Sequence, residues 1–538
     1  MSERSEPMND SGDLDPATLA VLIARLTGVA EEMGAVLRRG AFSPNIKERA
    51  DCSAALFTAD GTLLVQAEHI PVHLGSMPAS VRAAIDAVGP DPEPGVQMIV
   101  NDPFAGGTHL NDITLVAPCY TAAGRLVGWA ANRAHHADLG GAAPGSLPAD
   151  ATEIQQEGLR IPPVRFTSEV RELLVASSRT PEERRGDIDA QVGANVVGVA
   201  RLAELADEPL TEVVAYGERR MRAAIGALPD GEWTASDVLD SFGSGPDQRE
   251  PTTIRVTVRV EGERVEFDFA GTDAQRRGNV NAVEAVTISA AIFALRSAID
   301  PSVPANGGGL RVVDVTAPPG SVVAARFPAA VGAGNVEVSQ RVADVCLAAL
   351  AGAAPHRIGA ASQGTMNNLL IGGEGWVYYE TVAGGQGARP ARPAAVGGTG
   401  LPDGSPPRAG QSGIHTAMTN TRNTPTEALE RAFPLRVLRY RLREGSGGAG
   451  QAAGGEGIER DLQVLVGATV SLITERRFSQ PWGLAGGEPG ALGENWLLPG
   501  GDESRIEALP DKCTIQLKAG DVLRMLTPGG GGWRRPPV

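Results

Sequence analysis

Between Asn101 and Gly141 the chain reads NDPFAGGTHLNDITLVAPCYTAAGRLVGWAANRAHHADLGG. Two apolar runs, 113–118 and 125–133, flank the turn-like 121–124 segment, which predicts an antiparallel hairpin. A hairpin brings its outer ends together. Asp112, at the start of the first arm and three residues after His109, therefore meets His135, His136 and Asp138 at the end of the second. A histidine or aspartate beside a strand is more often a hydrogen-bonded loop residue or a strand cap. Here imidazole and carboxylate groups converge from both arms, and that pattern has the character of metal ligands. Gly106, Gly107, Gly140 and Gly141 flank the two groups and permit close backbone approach to an ion or substrate. Five of the seven histidines fall at or before position 136.

At 538 residues the chain exceeds one typical core and should divide into two or three domains. A formal net charge of −16 without a basic tract argues against nucleic acid or an anionic membrane as partner. The four cysteines (Cys52, Cys119, Cys346, Cys513) form no CxxC pair, the N-terminus is polar, and no apolar run reaches membrane-spanning length. A cytoplasmic setting is expected. Lysine occurs only at positions 47, 512 and 518, so no Walker-type loop can be written, and no glycine cluster follows the dinucleotide-binding pattern. The clusters at 306–310, 332–337, 383–390 and 528–533 are read as tight turns and close backbone contacts.

Taken in order, residues 1–13 form an expected disordered tail. Asp15-Pro16 opens a helix with Leu19, Leu22, Leu26, Met33 and Leu37 on one face. Asp60-Gly61 marks a second hairpin, with Asp51 just before it and His69 and His73 in the loop beyond. Asp51 is either a turn residue or a further ligand, and the two histidines are read as structural or substrate-facing. Helices are expected over 76–89, from Thr180 to about Leu205, over 211–228, 283–299 and 339–352, with a strand at 96–100 and an alternating hairpin at 252–272 around Glu261-Gly262. The fold class is α+β: a multidomain mixed fold with antiparallel hairpins, packed helices and a β-rich C-terminal part. The expected division is a metal-site domain over 14–230, an α/β middle domain over 231–345, and a Gly-rich, β-rich domain over 346–538 with an insertion or lid at 390–413.

GGTHLND, RAHHADLGG, ATEIQQEGLRIPP, RTPEERRGDIDAQ, AAVGAGNVEVSQR, SQGTMNN, ETVAGGQGARP, MTNTRNTPTE and TPGGGGW, in this order, resemble the hydantoinase B/oxoprolinase family over residues 14–535. Ala50 and Asn111 depart from the family pattern, where an arginine and a proline are common. The resemblance implies a divalent metal (Zn, Mn or Fe) on Asp51, His109, Asp112 and one of His135 and His136, with His135 taken as the ligand. His136 or Asp138 is then the expected general base or orienting group. Asn367, Asn368, Arg389, Asn420 and Arg422 are expected to hold substrate.

The resemblance also implies a hetero-oligomer with a hydantoinase A-type ATP-binding subunit, which phosphorylates the carbonyl oxygen of a small cyclic amide. The expected activity is that of the metal-dependent catalytic subunit of an ATP-dependent cyclic amidase of the hydantoinase/5-oxoprolinase type. The alternatives are a subunit of an ATP-dependent ketone carboxylase and a metal-stabilised scaffold without chemistry of its own.

Overall fold

The structure is a computed structural model that describes residues 14–67, 70–391 and 405–536. The expected tail, His69 and the 392–404 stretch of the expected insertion lie outside the described residues.

The first sheet has six strands: β1 (Cys52–Thr58), β2 (Leu63–Ala67), β3 (Met98–Val100), β4 (Asp112–Tyr120), β5 (Leu126–His135) and β6 (Val164–Arg165), in the order β2-β1-β5-β4-β3-β6. Both expected hairpins form, β1–β2 through Asp60-Gly61 and β4–β5 through the 121–124 turn, and β1 pairs antiparallel with β5. The central strands are buried on both faces because both faces are covered. On one side lie the helix Pro16–Gly40, capped by the Asp15 carboxylate on the Thr18 amide (3.2 Å), and the helix Pro181–Ala203. On the other, Met77, Val81 and Ala84 of the helix Met77–Val88 pack on Phe57, Met98 and Trp129.

The second sheet, in the order β10-β9-β8-β7, contains β7 (Gly231–Leu239), β8 (Thr252–Glu261), β9 (Arg264–Asp268) and β10 (Val313–Thr316), the last parallel to β9. Burial alternates along β8, as the sequence pattern requires. The helices Glu284–Ala298 and Ser339–Ala353 contribute Val286, Leu295, Val342 and Leu350 to the core beneath it. That core reaches into the neighbouring segments: Leu110 and Leu147 on one side and Leu370 and Ile473 on the other belong to the same cluster as Val256 and Val336.

Two further sheets make the C-terminal part. One has the order β12-β11-β15-β18, from β11 (Asn368–Gly373), β12 (Trp376–Thr381), β15 (Ala468–Ile473) and β18 (Lys512–Leu517). The other has the order β13-β14-β19-β16-β17, from β13 (Leu435–Arg443), β14 (Gly457–Val464), β16 (Glu494–Leu498), β17 (Glu507–Leu509) and β19 (Val522–Leu526). Beside them the glycine clusters lie backbone against backbone. The Gly385 amide donates to Pro528 O (3.0 Å), Gly455 N to Gln386 O (2.8 Å) and Gly530 N to Gly455 O (2.9 Å). A methyl group on Gly530 would run into the Gln386 carbonyl, and one on Gly385 into Gly455. Among the described residues no helix is long and apolar enough to cross a membrane.

Candidate metal centre

Three strand ends meet at one point. Asp112 opens β4 and is the direct register partner of His135, which closes β5. On the other side of β5 the Asp51 carbonyl, just before β1, accepts from the His135 amide at 3.0 Å. His109 arrives from the 106–111 turn. Side chains alternate along a strand, so His135 faces this point and His136 faces away.

The two oxygens of Asp112 are treated differently. Oδ2 accepts from Thr108 Oγ1 at 2.6 Å and from Asn335 Nδ2 at 3.3 Å, and His73 Nε2 lies 3.5 Å from it. His73 is itself fixed by a 2.9 Å hydrogen bond between its Nδ1 and Ser53 Oγ. Oδ1 has no hydrogen-bond partner. It lies 3.2 Å from His109 Nε2 and 3.3 Å from His135 Nδ1, and those two nitrogens are 3.2 Å apart. Ligand atoms bound at about 2.0–2.2 Å to one cation are separated by roughly 3.0–3.5 Å, so this triangle has the edge lengths of a coordination polyhedron. His109, Asp112 and His135 form a group able to hold a metal ion. The orphaned carboxylate oxygen among buried imidazoles is what such an ion would satisfy.

Electrostatics agree with that chemistry at Asp112 and His135, while His109 is biased toward the protonated form that a cation would have to displace. Burial disfavours the carboxylate of Asp112, but His109 beside it overcomes this and holds its pKa well below the usual range. Burial likewise disfavours charge on His109, yet Asp112 raises its pKa. Burial lowers the pKa of His135, which favours the neutral imidazole that a cation needs.

Neighbouring elements hold the group in place. The Tyr379 ring stacks on His135 (centroids 4.9 Å apart, 21° between planes), its hydroxyl donates to Asn368 Oδ1 at 2.9 Å, and the Arg49 guanidinium lies 4.7 Å from the ring centre. Asn335 is carried on a one-turn π-helix, Gly334–Val338, whose approach loop is held by Glu157: its Oε1 accepts from the Val331 amide at 2.9 Å and the Gly332 amide at 2.8 Å. From the sequence Glu157 is expected to be an exposed carboxylate able to contact the site, but it is buried; Asn335 is not singled out there, and the Gly-rich GAGNVE segment is its one visible signal.

A buried cavity of about 20 Å³, enough for one small species, is lined by Asp51, His73, Asp112, His135, Asn335, Tyr379 and Thr419 among others. Asp51 thus reaches the cavity but stands outside the tight group of three. Thr419 also lines a cleft of about 580 Å³, whose walls include Arg389, His415, Asn420 and Trp482.

The structure does not bring His136 and Asp138 to the cluster. His136 Nε2 hydrogen-bonds Gln191 Oε1 at 2.8 Å on the far face of β5, and burial lowers its pKa to about 4. Asp138 accepts from the amides of Gly145 (3.0 Å) and Arg179 (2.8 Å) and from the Arg179 guanidinium (3.0 Å), which pins the loop after β5. Of the expected substrate residues, Arg389 and Asn420 lie on the cleft. Asn367 is fully buried and hydrogen-bonded to Gln363, Val382 and Arg477. Asn368 is fully buried too and tethers Tyr379, Glu337 and Ile473. Arg422 has an exposed side chain, and its amide donates to Arg49 O at 3.2 Å.

With this geometry in hand, comparison with known proteins is decisive for kinship. The family model for hydantoinase B/oxoprolinase matches residues 15–536. The chain belongs to the hydantoinase B/oxoprolinase family. It is 38% identical to an uncharacterized protein of Methanocaldococcus jannaschii, over 97% of this chain and 91% of that protein. It is 36% identical to 5-oxoprolinase 1 of Arabidopsis thaliana, over 96% of this chain but only 42% of that much longer enzyme. Among solved structures, the ATP-dependent caprolactamase from Pseudomonas jessenii is similar, with a TM-score of 0.86 at 27% identity over 98% of this chain and 92% of that one.

Proposed function

We propose that this chain is the metal-dependent catalytic subunit of an ATP-dependent cyclic amidase, acting on a lactam or cyclic ureide. The bare Asp112 Oδ1, set at coordination spacing from two imidazole nitrogens, carries the reading. Kinship narrows it: a similar solved protein is an ATP-dependent caprolactamase and a relative is a 5-oxoprolinase.

His109, Asp112 and His135 would hold a divalent cation, Zn, Mn or Fe by their N and O donors, with Asp51 as a further ligand from the same cavity. When bound, such an ion lowers the pKa of water and supplies hydroxide at neutral pH. The protein's own contribution is placement. Thr108 and His73 hold Asp112 Oδ2 so that Oδ1 faces the ion, and Tyr379 fixes the plane of His135. The cleft beyond Thr419 takes the ring, with Arg389 and Asn420 as polar contacts. His136 and Asp138 serve as supports of the β5 end.

ATP would be used on a hydantoinase A-type partner subunit. The chain spans 42% of the Arabidopsis 5-oxoprolinase, which leaves more than half of that enzyme for other tasks. An unstrained amide resists hydroxide because of its resonance, and phosphorylation of the carbonyl oxygen removes that resistance. The test is a panel of 5-oxoproline, hydantoin and caprolactam with the co-expressed ATP-binding partner. Ring opening with ATP consumption is expected, together with loss of at least about 100-fold in His109→Ala. A His109→Ala enzyme as fast as wild type would refute the assignment.

A further inference from the structure

Asn335 stands apart from the residues that the hairpin brings together. It comes from a different sheet's neighbourhood, 223 positions from Asp112, and its backbone is unusual. A π-turn widens the helix by one residue and leaves a carbonyl without its normal partner. Here Ser339 Oγ donates to the Asn335 carbonyl at 2.7 Å, so that the turn is satisfied. Gly334 lies under the Asn281 carbonyl, where no side chain fits, and Glu157 fixes the loop before it. Such turns are frequent where a side chain must be aimed at a site.

The aim is specific. Asn335 Nδ2 lies 3.2 Å from His109 Nε2 and 3.3 Å from Asp112 Oδ2. The first distance matches the edges of the His109–Asp112–His135 triangle, so the amide terminus stands at coordination spacing from one of its members. Its other atom, Oδ1, is buried and has no partner, although the residue is only 4% exposed. A half-turn of the terminal amide exchanges oxygen and nitrogen at nearly the same points. A cation on His109 Nε2 uses the lone pair toward which the NH₂ group points. The oxygen then gains by turning inward, and the orphaned acceptor is satisfied.

We infer that Asn335 completes the cation-binding set, presenting its carboxamide oxygen to the ion beside His109 Nε2. This rests on the metal reading above. It means that the site is closed by a group from the middle of the chain, not by the hairpin alone.

The test is calorimetric titration of the chelator-treated full chain with Zn²⁺ and with Mn²⁺, together with the visible absorption of the Co²⁺-loaded protein. Asn335→Leu, of similar volume without polar atoms, should weaken binding by about 10–100-fold and alter the Co²⁺ bands. Asn335→Asp, which keeps an oxygen at that point, should recover the affinity. Gln340→Ala serves as control. Gln340 is equally buried on the same helical stem, donates to the Thr416 carbonyl at 3.1 Å and does not touch the cluster, and its loss should leave binding within about twofold. Equal binding by wild type and Asn335→Leu, or equal weakening in Gln340→Ala, overturns the inference while the metal reading stands. A wild-type chain that takes up no cation overturns both.

Discussion

Asp112 and His135 face each other across β4 and β5, and their side chains carry that pairing inward until Oδ1 and Nδ1 are 3.3 Å apart. The pairing makes the site a property of the sheet. Any change that shifts the hairpin by one residue would send both groups to opposite faces.

Because Oδ2 of Asp112 is the common acceptor for Thr108 and Asn335, with His73 alongside, its removal should be costly. Asp112→Ala is expected to lose the metal and about 3–5 kcal/mol of stability, since buried donors are left unpaired. Asp112→Asn should lose the metal with a smaller stability loss. Metal content by mass spectrometry and urea unfolding separate the two effects.

Glu337 provides a pH dependence of stability. Burial, reinforced by the charge of Glu475, raises its pKa to about 8, so it is held protonated at neutral pH. The folded state then binds a proton that the unfolded chain releases above the ordinary value of 4.5. This contribution to stability is present below that value and is lost as pH rises through about 8. Glu337→Gln should therefore gain melting temperature relative to wild type at pH 9 and differ little at pH 5. A constant gap across that range would contradict the assignment.

The glycine-packed region should tolerate no side chain. Gly530→Ala, where a methyl group meets the Gln386 carbonyl, is expected to abolish soluble expression or lower the melting temperature sharply. Gly28→Ala, in the open interior of the helix Pro16–Gly40, should instead stabilise by about 0.5–1 kcal/mol. Thermal unfolding of the two proteins checks both directions.

Asn420 lines the cleft and is exposed, whereas Asn368 is buried beneath Tyr379. Asn420→Ala should raise KM several-fold with metal content unchanged. Asn368→Ala should leave the Tyr379 hydroxyl without its acceptor and Glu337 Oε1 with only the Met366 amide, and cost about 1–3 kcal/mol of stability. Steady-state kinetics on a cyclic amide, paired with denaturant curves, distinguishes a substrate contact from a support.

Much of this arrangement was legible in the sequence where local rules hold. Asp60-Gly61 and the 121–124 turn announced both hairpins, and the meeting of Asp112 with the His135 region followed from hairpin geometry alone. The face of His136 was not legible. It depends on a register that includes an irregularity between Cys119 and Tyr120 near the turn. Asn367 and Asn368 looked like substrate contacts because Asn-rich turns and binding loops share a composition, and here long-range strand pairing buries them. Asn335 had no periodic signature, because a π-turn departs from helical spacing and its target lies more than two hundred residues away.

That separation bears on how the protein is made. His109, Asp112 and His135 leave the ribosome long before Asn335 does, and Tyr379 emerges later still. An ion captured by the early segment alone would sit in an open, half-walled cup, able to exchange with whatever metal the cell holds in excess. On the proposed metal reading, durable loading, and with it the choice of metal, would be postponed until the later segments dock, so that the cation would seal finished folding rather than seed it.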